Sequence, residues 1–199
     1  MSRLVLATRN AGKIVELRRI LAAAGLAVEL AGMEEFPEIG DVPETGLTFA
    51  ENALIKARAI ASATGLPAVA DDSGLCVDAL NGMPGVFSAR WSGRHGDDEA
   101  NLNLLLAQVA DVPAGHRGAH FACAAALALP SGEERVVEGA LHGVIVDKPR
   151  GAGGFGYDPI FVPEGGIRTT AELTSAEKDA ISHRGRAFRA LAPVVAELL

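Results

Sequence analysis

Ala70-Asp71-Asp72-Ser73-Gly74 places two adjacent carboxylates and a hydroxyl directly after a short apolar run, Pro67-Ala68-Val69-Ala70. Neighbouring residues at the end of a strand point to opposite faces. Asp71 and Asp72 are therefore expected to do different jobs: one holds a divalent cation or activates a water, and the other ties down the turn. Hard carboxylate oxygens suit Mg²⁺, which takes one or two of them and fills its shell with water and phosphate oxygens. A plain polar turn of the same composition would use the Asp side chains on local backbone and Gly74 for a positive φ. The pentapeptide alone does not separate the two readings.

Other stretches carry phosphate-binding chemistry. Thr8-Arg9-Asn10-Ala11-Gly12-Lys13 follows the apolar run Leu4 to Ala7 and precedes a helical pattern. Strand, polar loop and helix N-terminus together present free N–H groups and a favourable dipole to an anion. Lys13 in a first helical turn opposes the dipole preference unless a ligand is there. The loop is not a Walker A motif, because Ala7 stands where glycine is needed and Ile14 follows the lysine. Lys56 supplies a second cation, on one helix face with Asn52 four residues before it. The stretch from Glu29 to Gly46 is acidic and reads as an irregular loop. One or two of its carboxylates, Glu38 and Glu44 among them, are candidates to complete a metal site with Asp72. Gly151 to Pro159 is a glycine loop carrying Phe155, Tyr157 and Asp158, suited to close approach of a flat ligand. Phe155 can stack on a base and Asp158 can accept from ring N–H groups. Lys178, His183 and Arg184 add donors.

Several elements position these groups. Leu4 to Ala7 reads as a buried strand, and the next helix has Ile14, Leu17, Leu21 and Ala24 on one face, with Asn10 as N-cap and Gly25 as its stop. Thr48-Phe49-Ala50-Glu51 is a capping box for a helix to about Thr64, closed by Gly65 and Pro67. Leu75 to Leu80 reads as a separate strand after the aspartate pair. Ser88 to Arg94 reads as a loop, with Trp91 packing into a core or interface. Asp97 begins a helix faced by Leu102, Leu105, Leu106 and Val109. Phe121 to Leu129 and Arg135 to Val146 read as a strand hairpin. Thr174-Ser175-Ala176-Glu177 is a second capping box. Phe188, Leu191, Val195 and Leu198 line the last helix, where Pro193 is expected to kink it.

The chain has 199 residues, 49% of them hydrophobic and only 5% aromatic, so aliphatic side chains must do most of the packing. A net charge of −7 argues against a nucleic-acid polymer or an anionic membrane as partner, while leaving a small anionic ligand open. Cys76 and Cys123 sit in apolar runs and read as reduced core residues. Without a signal-peptide pattern or a run long enough to span a bilayer, a cytoplasmic protein is expected.

Taken together, Thr8 to Lys13, Glu44 to Ala57, Ala70 to Gly74, Gly82 to Arg90, Gly153 to Phe161 and Ser182 to Gly185 resemble the inosine/xanthosine triphosphate pyrophosphatase family. That family clears non-standard purine nucleotides. Gly154-Phe155-Gly156-Tyr157-Asp158-Pro159 with Ser182-His183-Arg184-Gly185 is the specific combination. Arg9 departs from the family, where glycine or serine is common.

The resemblance implies one α/β domain over residues 1–199, with a mixed central sheet flanked by helices and two lobes around a cleft, elongated and homodimeric. It implies Mg²⁺-dependent hydrolysis of ITP, dITP or XTP to the monophosphate and pyrophosphate. By position, Asp72 would be metal ligand and proton acceptor, with Glu44 or Glu38 helping to hold the metal. Thr8, Arg9, Asn10, Ala11, Gly12, Lys13, Lys56 and Ser73 would bind phosphates and sugar. Phe155, Gly156, Tyr157, Asp158, Lys178, His183 and Arg184 would bind the base. Donors from His183 and Arg184 aimed at position 6 would favour the oxo group of hypoxanthine or xanthine over the amino group of adenine. A pyrophosphatase related to the Maf proteins, with another base preference, and a non-catalytic nucleotide sensor are the alternatives.

Overall fold

The structure, a computed structural model, describes residues 3–9, 11–23, 25 and 28–199. The expected N-cap Asn10 and the stripe residue Ala24 lie outside the described residues, as does the Leu17 side chain.

A six-stranded sheet in the order β2-β1-β3-β4-β5-β6 is flanked by helices. β1 (Arg3–Leu6) continues into α1 (Ala11–Ala23), which leads to the parallel strand β2 (Glu29–Gly32). From there α2 (Phe49–Thr64) leads to β3 (Ala68–Val77), which pairs parallel with β1 on its other side, Leu6 opposite Val69. One connection thus runs to each side of β1. Right-handed crossovers then put α1 and α2 on opposite faces of the sheet. The alternation of β1 agrees. Leu4 and Leu6 pack with Ile20 and Leu21 of α1 and with Phe188, Leu191 and Val195 of α5 (His183–Leu198). Val5 packs with Ala53, Ala57, Ile60 and Ala61 of α2. Alanines fill this second face, which is why so few aromatics suffice.

β4 (Gly118–Ala128) and β5 (Glu134–Ile145) are joined by a short turn in which the Leu129 amide donates to the Glu133 carbonyl. A turn of that length makes them an antiparallel hairpin. β6 (Phe161–Pro163) lies antiparallel on β5. The remaining helices are α3 (Asp98–Gln108), capped by Asp97, and α4 (Ser175–Ile181). Both expected capping boxes are present, at Thr48 with Glu51 and at Thr174 with Glu177. Gly65 closes α2 at φ 67°, and Gly25 follows α1 at φ 72°.

The chain forms two compact units. The first comprises Met1–Asp72, Cys123–Gly139 and Arg184–Leu199, and holds the two cores just described. The second comprises Ser73–Ala122 and Ala140–His183. Its own core is built from Leu75, Val77, Leu102, Leu105, Val109, Phe121, Leu141, Ile160 and Phe161.

Four expectations are corrected. The aspartate pair does not end a strand: β3 runs unbroken through Asp71-Asp72-Ser73-Gly74 to Val77, and Asp78–Leu80 is a 3₁₀ turn rather than strand. Gly74 is not needed for positive φ. A Cβ there would collide with the Gly85 carbonyl and the Ser88 hydroxyl, so close packing excludes a side chain. Glu29–Gly32 is a strand, because its backbone pairs with β1 whatever its polarity. Gly85–Arg90 is a 3₁₀ segment, reaching into the expected loop from Ser88.

Candidate active site

Asp71 and Asp72 lie just beyond the point where β1 ends against β3, since Leu6 pairs with Val69 and the Ala7 amide donates to the Val69 carbonyl. In open α/β sheets this is where ligands bind: at the carboxyl ends of strands from which connections run to opposite sides. Strand parity carries Asp71 to the α1/α5 face with Val69, and Asp72 to the α2 face with Ala70.

On the first face, Asp71 Oδ2 accepts from Lys13 Nζ at 3.0 Å and from Arg184 Nε at 3.2 Å. Lys13 stands in the first turn of α1, which holds no acidic residue. Asp71 is 3% exposed and Arg184 3%. Burial pushes the Asp71 carboxyl up, but the Lys13 and Arg184 charges, with Lys56, outweigh it and hold the group well below the usual carboxylate range. Asp71 is a fixed anion.

On the other face, Asp72 Oδ2 accepts from Asn52 Nδ2 at 3.0 Å, and Asn52 Oδ1 accepts from the Gly46 amide at 2.8 Å. Lys56 Nζ lies 2.6 Å from Glu44 Oε1 and 3.7 Å from Asp72 Oδ1. Asn52 and Lys56 reach these partners from one face of α2, as their spacing predicted. Burial and the neighbouring Glu44 carboxylate raise the Asp72 pKa, against Lys56 and the Asn52 hydrogen bond. Burial lowers that of Lys56, but Asp72, Asp71 and Glu44 together raise it, so the ammonium stays charged. Two adjacent carboxyls thus have opposite shifts, the condition that separates a structural anion from a proton acceptor.

Asp72 and Glu44 already share one cation in Lys56, so the donor set is chemically suited to a hard divalent ion. Among the described residues no group of three His, Cys, Asp or Glu side chains is arranged for a metal. Two carboxylates are what Mg²⁺ takes when phosphate and water complete its shell.

Of the loop after β1, the Arg9 guanidinium is tied to the Ile39 carbonyl and lies 3.3 Å from Asp41. It therefore links this loop to the stretch leading to Glu44. Thr8 opens the same loop, its amide 2.8 Å from the Leu6 carbonyl. Ala11 and Gly12 begin α1, and Asn10 lies outside the described residues.

The second unit carries the glycine loop. Asp158 is 3% exposed. Its Oδ2 accepts from the Phe155 amide at 2.8 Å and from Lys178 Nζ at 2.5 Å, and its Oδ1 accepts from the Thr170 hydroxyl at 2.7 Å. Asp158 thus organises the loop around it. Lys178, in the last turn of α4, sits 5.0 Å from the centroid of the Phe155 ring, and Phe155 is 40% exposed. The Gly156 amide donates to Asp98 Oδ2, and the buried Tyr157 hydroxyl to the Ser88 carbonyl, both at 2.9 Å. His183 stacks on Phe121 at 4.9 Å and is nearly buried, as is Arg184 after it. The two do not form a solvated helix surface. Ser73 lies on β3, next in the chain to Asp72.

The Ham1 family model matches residues 4–194. The chain belongs to the Ham1 family. A dITP/XTP pyrophosphatase from Streptomyces coelicolor is 73% identical over 199 residues, with 100% of both chains covered. A solved nucleoside-triphosphatase/dITP/XTP pyrophosphatase from Mycobacterium abscessus is 60% identical at a TM-score of 0.79, covering 97% of this chain and 99% of that one. A solved HAM1 protein from Coxiella burnetii is 43% identical at a TM-score of 0.90, covering 99% and 100%.

Two polar residues of this Ham1 chain's site were not singled out as site residues in the sequence. Asn52 shares the Lys56 helix face, and that spacing was the available signal. Thr170 falls within Thr169-Thr170-Ala171-Glu172, a capping box that opens a single 3₁₀ turn, and its pairing with Asp158 is non-local.

Proposed function

We propose that this chain is a nucleoside triphosphate pyrophosphatase that hydrolyses the non-standard purine nucleotides ITP, dITP and XTP to the monophosphate and pyrophosphate. The observation that carries the reading is the division of labour between Asp71 and Asp72. Water attacks the anhydride joining the α and β phosphoryl groups, its proton passes to the Asp72 carboxylate, and pyrophosphate leaves. A proton acceptor of raised affinity, oriented by Asn52, suits that step. Lys13 and Lys56 neutralise phosphate charge, with the N–H groups at the start of α1. Asp72 and Glu44 would hold Mg²⁺, which supplies charge neutralisation at the phosphoryl oxygens and polarises the attacking water. The exposed Phe155 ring takes the base by stacking. Lys178 and His183 supply donors that match a 6-oxo group and leave adenine facing donors with a donor. We place the enzyme in the cytoplasm as a homodimer, a setting in keeping with its two free, buried cysteines.

The test is product release with Mg²⁺ from inosine, deoxyinosine, xanthosine, adenosine, guanosine and thymidine triphosphates, scoring pyrophosphate separately from orthophosphate. Pyrophosphate selective for 6-oxo non-standard purines is expected. Preference for another base would move the enzyme towards the Maf-related alternative. Tight binding without turnover would make it a sensor.

A further inference from the structure

We propose that Thr170 is a positioning residue for base selection, acting through Asp158 on Lys178. This rests on the reading of Phe155 and Lys178 as the base-binding pair. Thr170 is 1% exposed. Its hydroxyl donates to Asp158 Oδ1 at 2.7 Å, with the Asp158 carbonyl oxygen at 3.1 Å as a second, longer acceptor. The other carboxylate oxygen carries both functional partners, the Lys178 ammonium and the Phe155 amide. A hydrogen bond at one oxygen restrains the carboxylate against rotation about its Cβ–Cγ bond. Thr170 therefore fixes the point in space to which Oδ2 draws the ammonium, and Lys178 is placed relative to the Phe155 ring by that point.

The surroundings are built to keep this arrangement rigid. Gly154, at φ +72°, lies so close to Asp158 Oδ2 that any Cβ would strike it. The Gly153 amide donates to the Ala171 carbonyl at 2.9 Å, and the Thr169 hydroxyl to the Arg150 carbonyl at 2.7 Å. A Cβ at Gly151 would collide with the Ala171 backbone. The turn that carries Thr170 is thus clamped to both ends of the glycine loop, and its one side-chain link to the carboxylate is the hydroxyl.

The experiment compares Thr170→Val, which keeps the shape and removes the donor, with Thr170→Ser, which restores the donor. Affinity for dITP and dATP is measured by calorimetry, and KM and kcat for dITP by pyrophosphate release. For Thr170→Val we expect dITP affinity and the dITP-to-dATP preference to fall by about tenfold, as for loss of a hydrogen bond to a charged group. KM should rise in step while kcat stays within about twofold, because the reacting end lies with other residues. Thr170→Ser should recover most of the loss. A folded Thr170→Val protein with a lowered melting temperature but wild-type preference would overturn the proposal, leaving Thr170 structural. Should Thr170→Val not fold, Thr170→Ala carries the same comparison. Wild-type protein that binds dITP selectively but releases no pyrophosphate would overturn the proposed activity and leave this inference to stand or fall on the affinity ratio. Wild type that binds neither nucleotide would overturn both.

Discussion

At the scale of residues, the molecule separates two chemically identical side chains by strand parity. Asp71 is committed: part-buried Lys13 and buried Arg184 hold it ionised, and replacing it removes the anion that both cations contact. Asp71→Asn should cost about 3 kcal/mol or more of stability, as for breaking a buried pair by removing one partner, read as a lower urea midpoint. Asp72 is different. Burial and Glu44 disfavour its ionised form more than Lys56 and Asn52 favour it, and Lys56 keeps Glu44 as a partner, so neutralising Asp72 costs less than neutralising Asp71. Asp72→Asn keeps a side chain that can accept from Asn52, and it should melt within a few degrees of wild type. Its pyrophosphate release should fall by about 10²–10⁴-fold, the usual worth of a positioned acid–base group. Near-normal turnover in that variant would take Asp72 out of the chemistry. Full stability in Asp71→Asn would show that Lys13 and Arg184 do not depend on it.

At the scale of elements, the helices that carry Lys56 and Lys178 each begin in a capping box. Lys178 follows directly on Glu177, which fixes the start of α4. That carboxylate accepts from the Thr174 amide and hydroxyl and pairs with Arg168. The Arg168 hydrogen bond and the Thr174 contacts lower its pKa from 4.5 to about 2. A carboxylate with a depressed folded-state pKa adds stability that is complete above the unfolded value and is lost as pH falls through the folded one. The melting-temperature gap between wild type and Glu177→Gln should therefore be constant above pH 4.5 and close between 4.5 and about 2. A gap that persisted below that range would assign the effect to shape rather than charge. Such elements were legible because their signals are local. The capping boxes at Thr48 and Thr174, the αL glycine at Gly65 and the apolar stripes of α3 and α5 need only neighbours in sequence. What was not legible depends on distant partners. β3 continues through polar Asp71-Asp72-Ser73-Gly74 because the sheet satisfies its backbone, and the polar residues read as a turn. Glu29–Gly32 is a strand only because β1 lies beside it. The site followed the same rule. Asp72, Lys13, Lys56 and the glycine loop stood out by residue type and spacing. Arg184 reads as a base donor in the sequence, and the fold adds that its Nε donates to Asp71.

At the scale of the whole molecule, two units have separate cores and different polar groups: the first holds Lys13, Lys56, Asp71 and Asp72, and the second holds Phe155, Asp158 and Lys178. A ligand that engages the folded chain alone stabilises it by mass action, by about 2.7 kcal/mol at a hundredfold excess over Kd. For a chain of this length that corresponds to a rise in melting temperature of about 5–10 °C. A non-hydrolysable α,β-imido analogue of ITP, added with Mg²⁺, should produce such a shift, and the equivalent ATP analogue should produce much less. Chelation should shrink the ITP-analogue shift, because without a divalent ion Asp72 and Glu44 would repel the phosphates with Lys56 between them. The decisive comparison is the chelated sample with and without Glu44→Gln. If the metal bridges Glu44 to phosphate, chelation should cost the wild type more of its shift than it costs the variant, which has already lost that bridge. An equal loss in both, or none in either, would remove Glu44 from the metal site and leave Asp72 to hold the ion with water and phosphate alone.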